Sequence, residues 1–530
     1  MIYLVQTLIL LFVGGWPAVL AQCDCGYSVA NAVEGDDPWV FSEVLESDFT
    51  SLQKIAPSNG WQMQQFNVSA EAGRGSYGKA FSPQNIMPVS GADGPGQIAR
   101  EGSPGVDLVV GSTIVDGSVP VAEMDTIRQD ILWGSFRAGM KLTAVKGTCA
   151  AFFWATIMSR TLKIVLRNST DSEALYAHVT GTSNNGLFLL GADGETAYHP
   201  SSPGDTLQPL GADCSISLGG PGQERTVTIP LIAGGRIWFS KKKPLSFFLN
   251  PGPALVEPSA TNPSDANYDL DWGFCEFTFN TNELYVNVSY VDFVSLPISL
   301  KLENASGNVR TVPGMPTDAL SRVCEGLIAQ GSKDGSGWER LVIQSPTGQY
   351  LRALSPNAGA VLVPGLFQGY YDAYVNAVWD KYSSTDLTVN TQFKWGDATG
   401  RVKNGKLDFD GVGTFGKPSA ADVFSCNSGP FAHGEGVSDE MLNIGARLAA
   451  ALNRSTLLIN PVQPEGEKIE TYYKDAVTNH YSRVCHEVSV EGRGYAFPYD
   501  DVGSSSGPDQ SGFLNDPNPK VLTVAVGAPM

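Results

Sequence analysis

A chain of 530 residues is longer than one compact domain usually holds, and 42% hydrophobic content is ample for a core. The formal charge of −19 argues against nucleic-acid or anionic-membrane partners, which want basic surface, and suits a neutral ligand held by acids and amides. Short apolar runs set among 58 glycines and 33 prolines point to a mainly β, loop-rich protein.

Residues 1–21 carry the apolar run Leu8–Gly14 and end Val19-Leu20-Ala21. Small residues at the last and third-last positions fit signal-peptidase cleavage before Gln22, and Gly14, Gly15 and Pro17 interrupt the run against a membrane anchor. The expectation is a secreted, extracellular protein with no membrane attachment once the signal is removed. No later stretch approaches the roughly 20 apolar residues of a spanning helix. In that compartment the eight cysteines (23, 25, 149, 214, 275, 324, 426 and 485) are expected mostly in disulfides. Five N-x-S/T sequons, at Asn67, Asn168, Asn287, Asn304 and Asn453, are compatible with it. The five histidines show no H-x-x-x-H spacing, and Cys23-Asp24-Cys25 lacks a second half, so no metal site is expected.

Within 22–154, the runs DILWGSFRAGM (Asp130–Met140) and GTCAAFFW (Gly147–Trp154) resemble the first half of a family 16-type, concanavalin A-like glucanase domain. That family carries its acids in E-x-D-x-x-E on the next strand. Here Trp154 is followed by ATIMSRTLKIVLRN, which has none of them. The region reads as a truncated, inactive, incomplete β-rich remnant.

From 160 to 305 strands dominate: Leu162–Leu166, Gly186–Leu190, Arg225–Pro230, Arg236–Phe239, Cys275–Phe279 and Leu284–Val291, separated by turn residues. From 306 to 528 the pattern is mixed α/β. Helical spacing marks Thr317–Gln330 (Thr317 as N-cap, Gly331 just past the end), Tyr370–Tyr382, Ser438–Leu452 and Ile469–Val484. Strands are read at Arg340–Gln344, Ala360–Val363, Thr388–Phe393 and Val521–Val526.

Asp271–Phe293 reads as two strands joined at Asn280–Glu283. Glu276, Thr278 and Asn280 share one face of the first strand, with Phe277 and Phe279 on the other. Glu276 and Asp292 each sit between apolar or thiol neighbours. Desolvating a carboxylate is costly, so such acids usually face a cleft or a partner. Two carboxyls opening into one groove are the minimum equipment for glycoside hydrolysis. A turn near residue 282 pairs Glu276 with a residue near 288 and leaves Asp292 roughly 13 Å further along a straight strand. A bulge, strong twist or later turn is needed to bring the two together. The competing reading makes Glu276 a cross-strand ion-pair partner and Asp292 an ordinary strand-end residue.

The segments GGRIWFS (Gly234–Ser240), GPALVEPSATNPSDANY (Gly252–Tyr268), WGFCEFTFN (Trp272–Asn280), YVDFVSLP (Tyr290–Pro297), HYSRVCHE (His480–Glu487) and GRGYAFPYDDV (Gly492–Val502) carry a resemblance to the glycoside hydrolase family 64 β-1,3-glucanases. The resemblance implies a thaumatin-like β-barrel or sandwich subdomain over 160–305 and a mixed α/β subdomain over 306–528, with a groove between them. It implies an inverting hydrolase of β-1,3-glucan (laminarin, curdlan, cell-wall glucan) that releases short oligosaccharides, needs no cofactor and acts as a monomer. By the same resemblance Glu276 is the general acid and Asp292 the general base, roughly 6.5–9.5 Å apart to admit a water. Apolar flanks favour a raised Glu276 pKa if that residue is buried. Asp265, Asp500 and Asp501 match acids lining the family's groove. Thr278, Asn280, Tyr285 and Ser289 are placed to hydrogen-bond sugar hydroxyls. Tyr495, Phe497 and Tyr499 alternate, as sugar-stacking rings or as a core-facing edge. The bland alternatives are polar strand faces for the first set and a turn or cap for each acidic loop. A non-catalytic β-glucan-binding protein is the rival function. Gly503–Gly507 matches G-x-S-x-G only formally, in a polar run with no following helix.

Overall fold

The structure, a computed structural model, describes residues 160–530 throughout, preceded by 2–4, 27–29, 39–41, 61–69, 77–89, 105–110, 113–126 and 140–141. The chain divides into two compact units, Met1–Ser159 and Arg160–Met530. Among its described residues the first unit is built from short paired strands. Phe66–Val68 runs antiparallel to Gly78–Phe81, which lies parallel to Ser118–Val121. Ile86 and Val106 are buried, with Trp61, Met63 and Met124 packed on them. Of the segment read as a signal peptide, only Ile2–Leu4 is described, as a strand paired with Gly105–Leu108. The residues that carry the family 16-type resemblance lie outside the described residues, Met140 apart.

The second unit begins with strand after strand: β1 (Leu162–Asn168), β2 (Leu175–Ser183), β3 (Gly186–Leu190), β4 (Glu224–Ile229), β5 (Ile232–Lys241), β6 (Trp272–Phe279), β7 (Leu284–Asn287), β8 (Phe293–Val294), β9 (Ile298–Asn304) and β10 (Val309–Val312). Next come α1 (Ala319–Asp334), β11 (Tyr350–Leu354), α2 (Pro356–Leu362), α3 (Asp372–Ser384), β12 (Leu387–Asn390), β13 (Asp397–Lys403), α4 (Asp439–Arg454) and α5 (His480–Val488). Two strands close the chain, β14 (Phe513–Asp516) and β15 (Pro519–Val526).

Two sheets bury one core. In the five-stranded sheet β15 lies between β1, parallel to it, and β9, antiparallel to it. In the eight-stranded sheet the order is Ala197–Tyr198, β3, β2, β5, β6, β7, β14, with Ile216–Gly219 joined to β2. The last residues of the chain are thus built into sheets begun by the first half of the unit. Alternation explains the burial. Ile164 and Leu166 of β1, Leu522 and Val524 of β15, and Ile237, Phe239, Phe277 and Phe279 of the larger sheet belong to one buried cluster. Each such aromatic or branched side chain contributes about 1.5–3 kcal/mol of apolar burial.

The helices differ from expectation mostly at their ends. α1 runs to Asp334, and Gly335, left-handed at φ 70, caps it through an N–H bond to the Gly331 carbonyl. α4 starts as read, its Ser438 hydroxyl accepting from the Met441 N–H. The helix expected over Ile469–Val484 is instead a single 3-10 turn, Ile469–Thr471, and then α5, capped by Asn479, which accepts from the Ser482 N–H. The strand expected at Ala360–Val363 is the end of α2: Ser355 caps it and Pro356 fills its first turn, where a missing N–H costs nothing.

The disulfide expectation fails among the described cysteines. Cys214, Cys275, Cys324, Cys426 and Cys485 are free and buried. Burial pushes the Cys214 thiol up to about 11 and those of Cys275 and Cys324 to about 12. Cys23, Cys25 and Cys149 lie outside the described residues. The sequons at Asn168 and Asn453 are sealed, their amides donating to backbone carbonyls at 2.8 Å (Gly219) and 2.7 Å (Val423).

Candidate active site

The larger sheet packs one face into the core and leaves part of the other open. Beyond the bulge between Ile232 and Gly235, side chains of even number in β5 share that second face with those of β6, and the register sets Arg236 beside Glu276, Trp238 beside Phe274 and Ser240 beside Trp272. The face has two ends. At the Trp272 end it is roofed: Phe293 meets Trp272 with ring centroids 4.8 Å apart and Phe274 at 5.8 Å. At the other end lie Arg236, Glu276 and Thr278, none of them buried, with Tyr285 paired to Thr278 and Asn287 to Glu276 across β7.

Phe293 fixes where Asp292 sits. Its ring lies on the face that carries Glu276, so the segment holding Asp292 crosses that same face. The expected straight continuation of β7 does not occur. β7 ends at Asn287, Ser289 bridges to Tyr495, and the Tyr290 N–H donates to the Tyr495 carbonyl at 2.7 Å. The Tyr481 hydroxyl donates to the Tyr290 carbonyl at 2.6 Å, and the Ser355 N–H to the Asp292 carbonyl at 2.9 Å. Held from three sides, the chain turns out of one sheet and enters β8, which pairs with β11. The straight continuation behind the roughly 13 Å expectation is therefore absent.

Arg236 joins the carboxyls. Its guanidinium lies 3.2 Å from Glu276 Oε1 and 2.6 Å from Glu257 Oε2, and it stacks 4.8 Å from the Phe274 ring centre. Glu276 is half-exposed, its side chain retaining 36% of its accessible surface, so the burial imagined for it is not found. The groups driven above the ordinary carboxylate range are Glu257 and Asp292. For Glu257 the causes are burial, with Arg236 opposing and the negative charges of Glu276 and Asp292 adding. For Asp292 burial raises the value and Arg236 opposes. Asp292 is nonetheless solvent-exposed, with protein packed around it on other sides. Sequence reading missed Arg236 and Glu257. Both stood in quoted segments, Arg236 as the single charge in GGRIWFS and Glu257 as the single acid in GPALVEP.

The other expected contacts divide. Thr278 faces the open side, its hydroxyl accepting from the Gly234 N–H at 3.4 Å. Tyr285 stacks on Phe513 at 5.2 Å. Asp501 is exposed and accepts the Tyr495 hydroxyl at 2.7 Å, and its charge reaches Tyr285 as well, so these three border one space. Ser289 is buried, at 7%. Asn280 is exposed, but its side-chain oxygen closes the β6–β7 turn by accepting from the N–H groups of Asn282 and Glu283 at 2.8 and 2.9 Å. Asp265 is a loop staple: it accepts from the Ser259 and Asn267 N–H groups at 3.2 and 2.8 Å.

Asp500 is a correction. It is sealed at 2% exposure, with Arg454 at 3.0 Å on one oxygen and His486 at 3.0 Å on the other, so it meets no ligand. A carboxylate buried between two cations braces the loop that presents Asp501 and Tyr495. Phe497 is core, Tyr495 lines the open space, and the alternation over 495–499 serves both sides. Among the described residues no group of three or more His, Cys, Asp or Glu side chains is arranged to hold a metal, and no helix is long and apolar enough to cross a membrane.

Comparison with known proteins agrees with this geometry. A family model described as β-1,3-glucanase, glycoside hydrolase family 64, matches residues 160–526. A glucan endo-1,3-β-glucosidase of Cellulosimicrobium cellulans is 30% identical over 384 residues, 70% of this chain, and one of Arthrobacter sp. (strain YCWD3) is 30% identical over 382. In both cases the alignment spans 66% of the relative's length. A laminaripentaose-producing β-1,3-glucanase, solved with laminaritetraose, superposes with a TM-score of 0.61 at 31% identity, covering 69% of this chain and 98% of that one. A β-1,3-glucanase domain from Clostridium beijerinckii shares the fold, with a TM-score of 0.53 at 22% identity over 69% of this chain and 98% of its own.

Proposed function

Residues 160–526 belong to glycoside hydrolase family 64, the β-1,3-glucanases, and from that premise we propose that the protein is a secreted, monomeric endo-acting hydrolase that inverts the anomeric configuration of β-1,3-glucan and releases short oligosaccharides. The glucan lies in a groove between a thaumatin-like β subdomain and the mixed α/β subdomain. The observation that supports this reading is the cluster of Glu276 and Asp292 over one sheet face, both in the field of Arg236.

Glu276 donates a proton to the glycosidic oxygen as the C1–O bond breaks. Asp292 takes a proton from the water that attacks C1 from the opposite side of the ring. Arg236, gripped by Glu257, fixes the Glu276 carboxyl. Burial and the charges of Glu276 and Asp292 hold Glu257 above the ordinary carboxylate range, and burial does the same for Asp292. Glucan entering the groove expels water and strengthens that tendency. Tyr285 and Thr278 lie where sugar rings and hydroxyls pass. A second reading, a non-catalytic β-glucan-binding protein, draws on the Arg236 ion pair, which engages the very carboxyl that must deliver a proton.

Reducing-sugar release from laminarin separates the two. Glu276→Gln and Asp292→Asn are each expected to lower kcat by about 10²–10⁴-fold while glucan binding persists. Wild-type protein that binds without turnover selects the second reading. Anomer-resolved NMR of early product should show the α form first, and an initial β product rules out inversion.

A further inference from the structure

The hairpin between β12 and β13 ends in Thr391–Gly396, TQFKWG. Its tip holds Phe393, 60% exposed, against Trp395, with ring centroids 5.0 Å apart and planes tilted by 52°. The Lys394 ammonium lies 5.3 Å from the Trp395 ring centre. The tip is a braced structure. The Thr391 N–H and hydroxyl both donate to the Gly396 carbonyl, at 2.9 and 2.8 Å. The Gly396 N–H donates to the Phe393 carbonyl at 3.0 Å, and the Gln392 N–H to Asn390 Oδ1 at 2.7 Å.

Gln392 ties this tip to Glu465, Arg447 and the segment at Gly503. Its amide donates to Glu465 Oε1 and to the Gly503 carbonyl, both at 2.8 Å, and its oxygen accepts from Arg447 at 3.1 Å. Gly503 follows Asp501 by two residues, and Arg447 feels the Asp501 charge. The aromatic pair is therefore fastened to the segment that carries Asp501 and Tyr495. Rigid rings held in water lose little freedom when a ligand lands on them. Pyranose rings present neutral C–H-rich faces that suit such rings, and an adjacent ammonium can donate to hydroxyls. The −19 charge of the chain leaves a neutral polymer as the fitting occupant.

We propose that Phe393 and Trp395 form a distal stacking site for a β-1,3-glucan chain leaving the Glu276–Asp292 groove past Asp501, a site engaged by polymer and out of reach of short oligosaccharides. The inference rests on the glucanase reading for its ligand. The test uses the full chain carrying Glu276→Gln, so that binding is read without turnover. Phe393→Ala with Trp395→Ala should weaken retention on insoluble curdlan by about tenfold, and Phe393→Tyr with Trp395→Phe, which keeps both aromatic faces, should restore it. In the active chain the alanine pair should raise KM for laminarin by severalfold more than KM for laminaritriose.

Wild-type cleavage with unchanged curdlan retention in the alanine pair overturns the distal site and leaves the hydrolase reading intact. So does loss that the aromatic pair fails to rescue. Wild-type binding without cleavage, weakened by the alanine pair, upholds the site while the hydrolase reading falls. A wild-type chain that neither binds nor cleaves overturns both.

Discussion

Around Arg236, three carboxyls compete for one guanidinium, and the proton count of that cluster sets the working pH. Asp292 must be ionised to accept a proton from water. Its value stands above the ordinary carboxylate range because burial outweighs Arg236, so the acid limb of kcat/KM should lie above the pH of about 3.9 at which a free aspartate titrates. Glu257→Gln removes one negative neighbour and frees Arg236 for the remaining two acids. The ionised form of Asp292 then becomes easier to hold, and the acid limb should move to lower pH. A pH series of laminarin cleavage checks this, and a limb that stays put or climbs contradicts the cluster. At this scale the sequence was informative about identity and silent about company. Glu276 and Asp292 stood out because charged residues in apolar strands are rare. Nothing local revealed that Glu257, 19 positions before Glu276, would reach the same guanidinium.

The element on which the site depends is the β5–β6 pair, whose register sets Arg236 beside Glu276. A glycine makes that register possible. A Cβ at Gly235 would lie 2.5 Å from Phe277 Cζ, inside a ring that is 2% exposed. Gly235→Ala should therefore cost about 1–3 kcal/mol through overpacking. Calorimetry should show Tm falling by several degrees, with cleavage activity falling alongside it. An unchanged Tm would mean the ring has room to move. The alternation of β1 and β6 was legible in the residues, since period-two burial leaves its mark on every second position. Element ends were not. Ala360–Val363 has strand-like composition, yet Ser355 and Pro356 nucleate a helix that overrides it. The residues before His480 are helix-compatible, yet Asn479 starts the helix late, as its cap. In both places a local hydrogen bond to the first turn decided the outcome.

Across the second unit, a buried charge network joins α4, α5 and the loop bearing Asp501. Asp500 is buried, which by itself raises its value, but His486 and Arg454 outweigh burial and hold it below the ordinary 3.8. His486 is likewise penalised by burial, yet Asp500 holds it above the ordinary 6.5. The signs follow from linkage. Asp500 contributes stability that is present above the unfolded aspartate value and lost as pH falls through its lowered folded value. His486 contributes stability that is complete below the unfolded histidine value and lost as pH rises through its raised folded value. Tm should accordingly be higher near pH 5.5 than at pH 8.5 or pH 3, about midway between the two ordinary values. His486→Gln should flatten the decline on the alkaline side. Asp500→Asn leaves Arg454 buried with a single remaining acid and should cost about 3–5 kcal/mol. A wild-type Tm that climbs steadily from pH 5.5 to 8.5 contradicts the assignment.

What the sequence determined by itself is the strand-rich first half of the second unit and the family, because alternation and residue type are local properties. What only tertiary structure decided is which side chains meet. Phe293 carries Asp292 over the face of Glu276, Arg236 gathers a third acid, and Asp500 is enclosed between Arg454 and His486 while its neighbour Asp501 remains in water. The two adjacent aspartates are chemically identical in sequence. Their fates part because neighbouring residues along an irregular loop point in different directions: the cations that enclose Asp500 lie 14 and 46 positions away, while Asp501 meets Tyr495, six positions away.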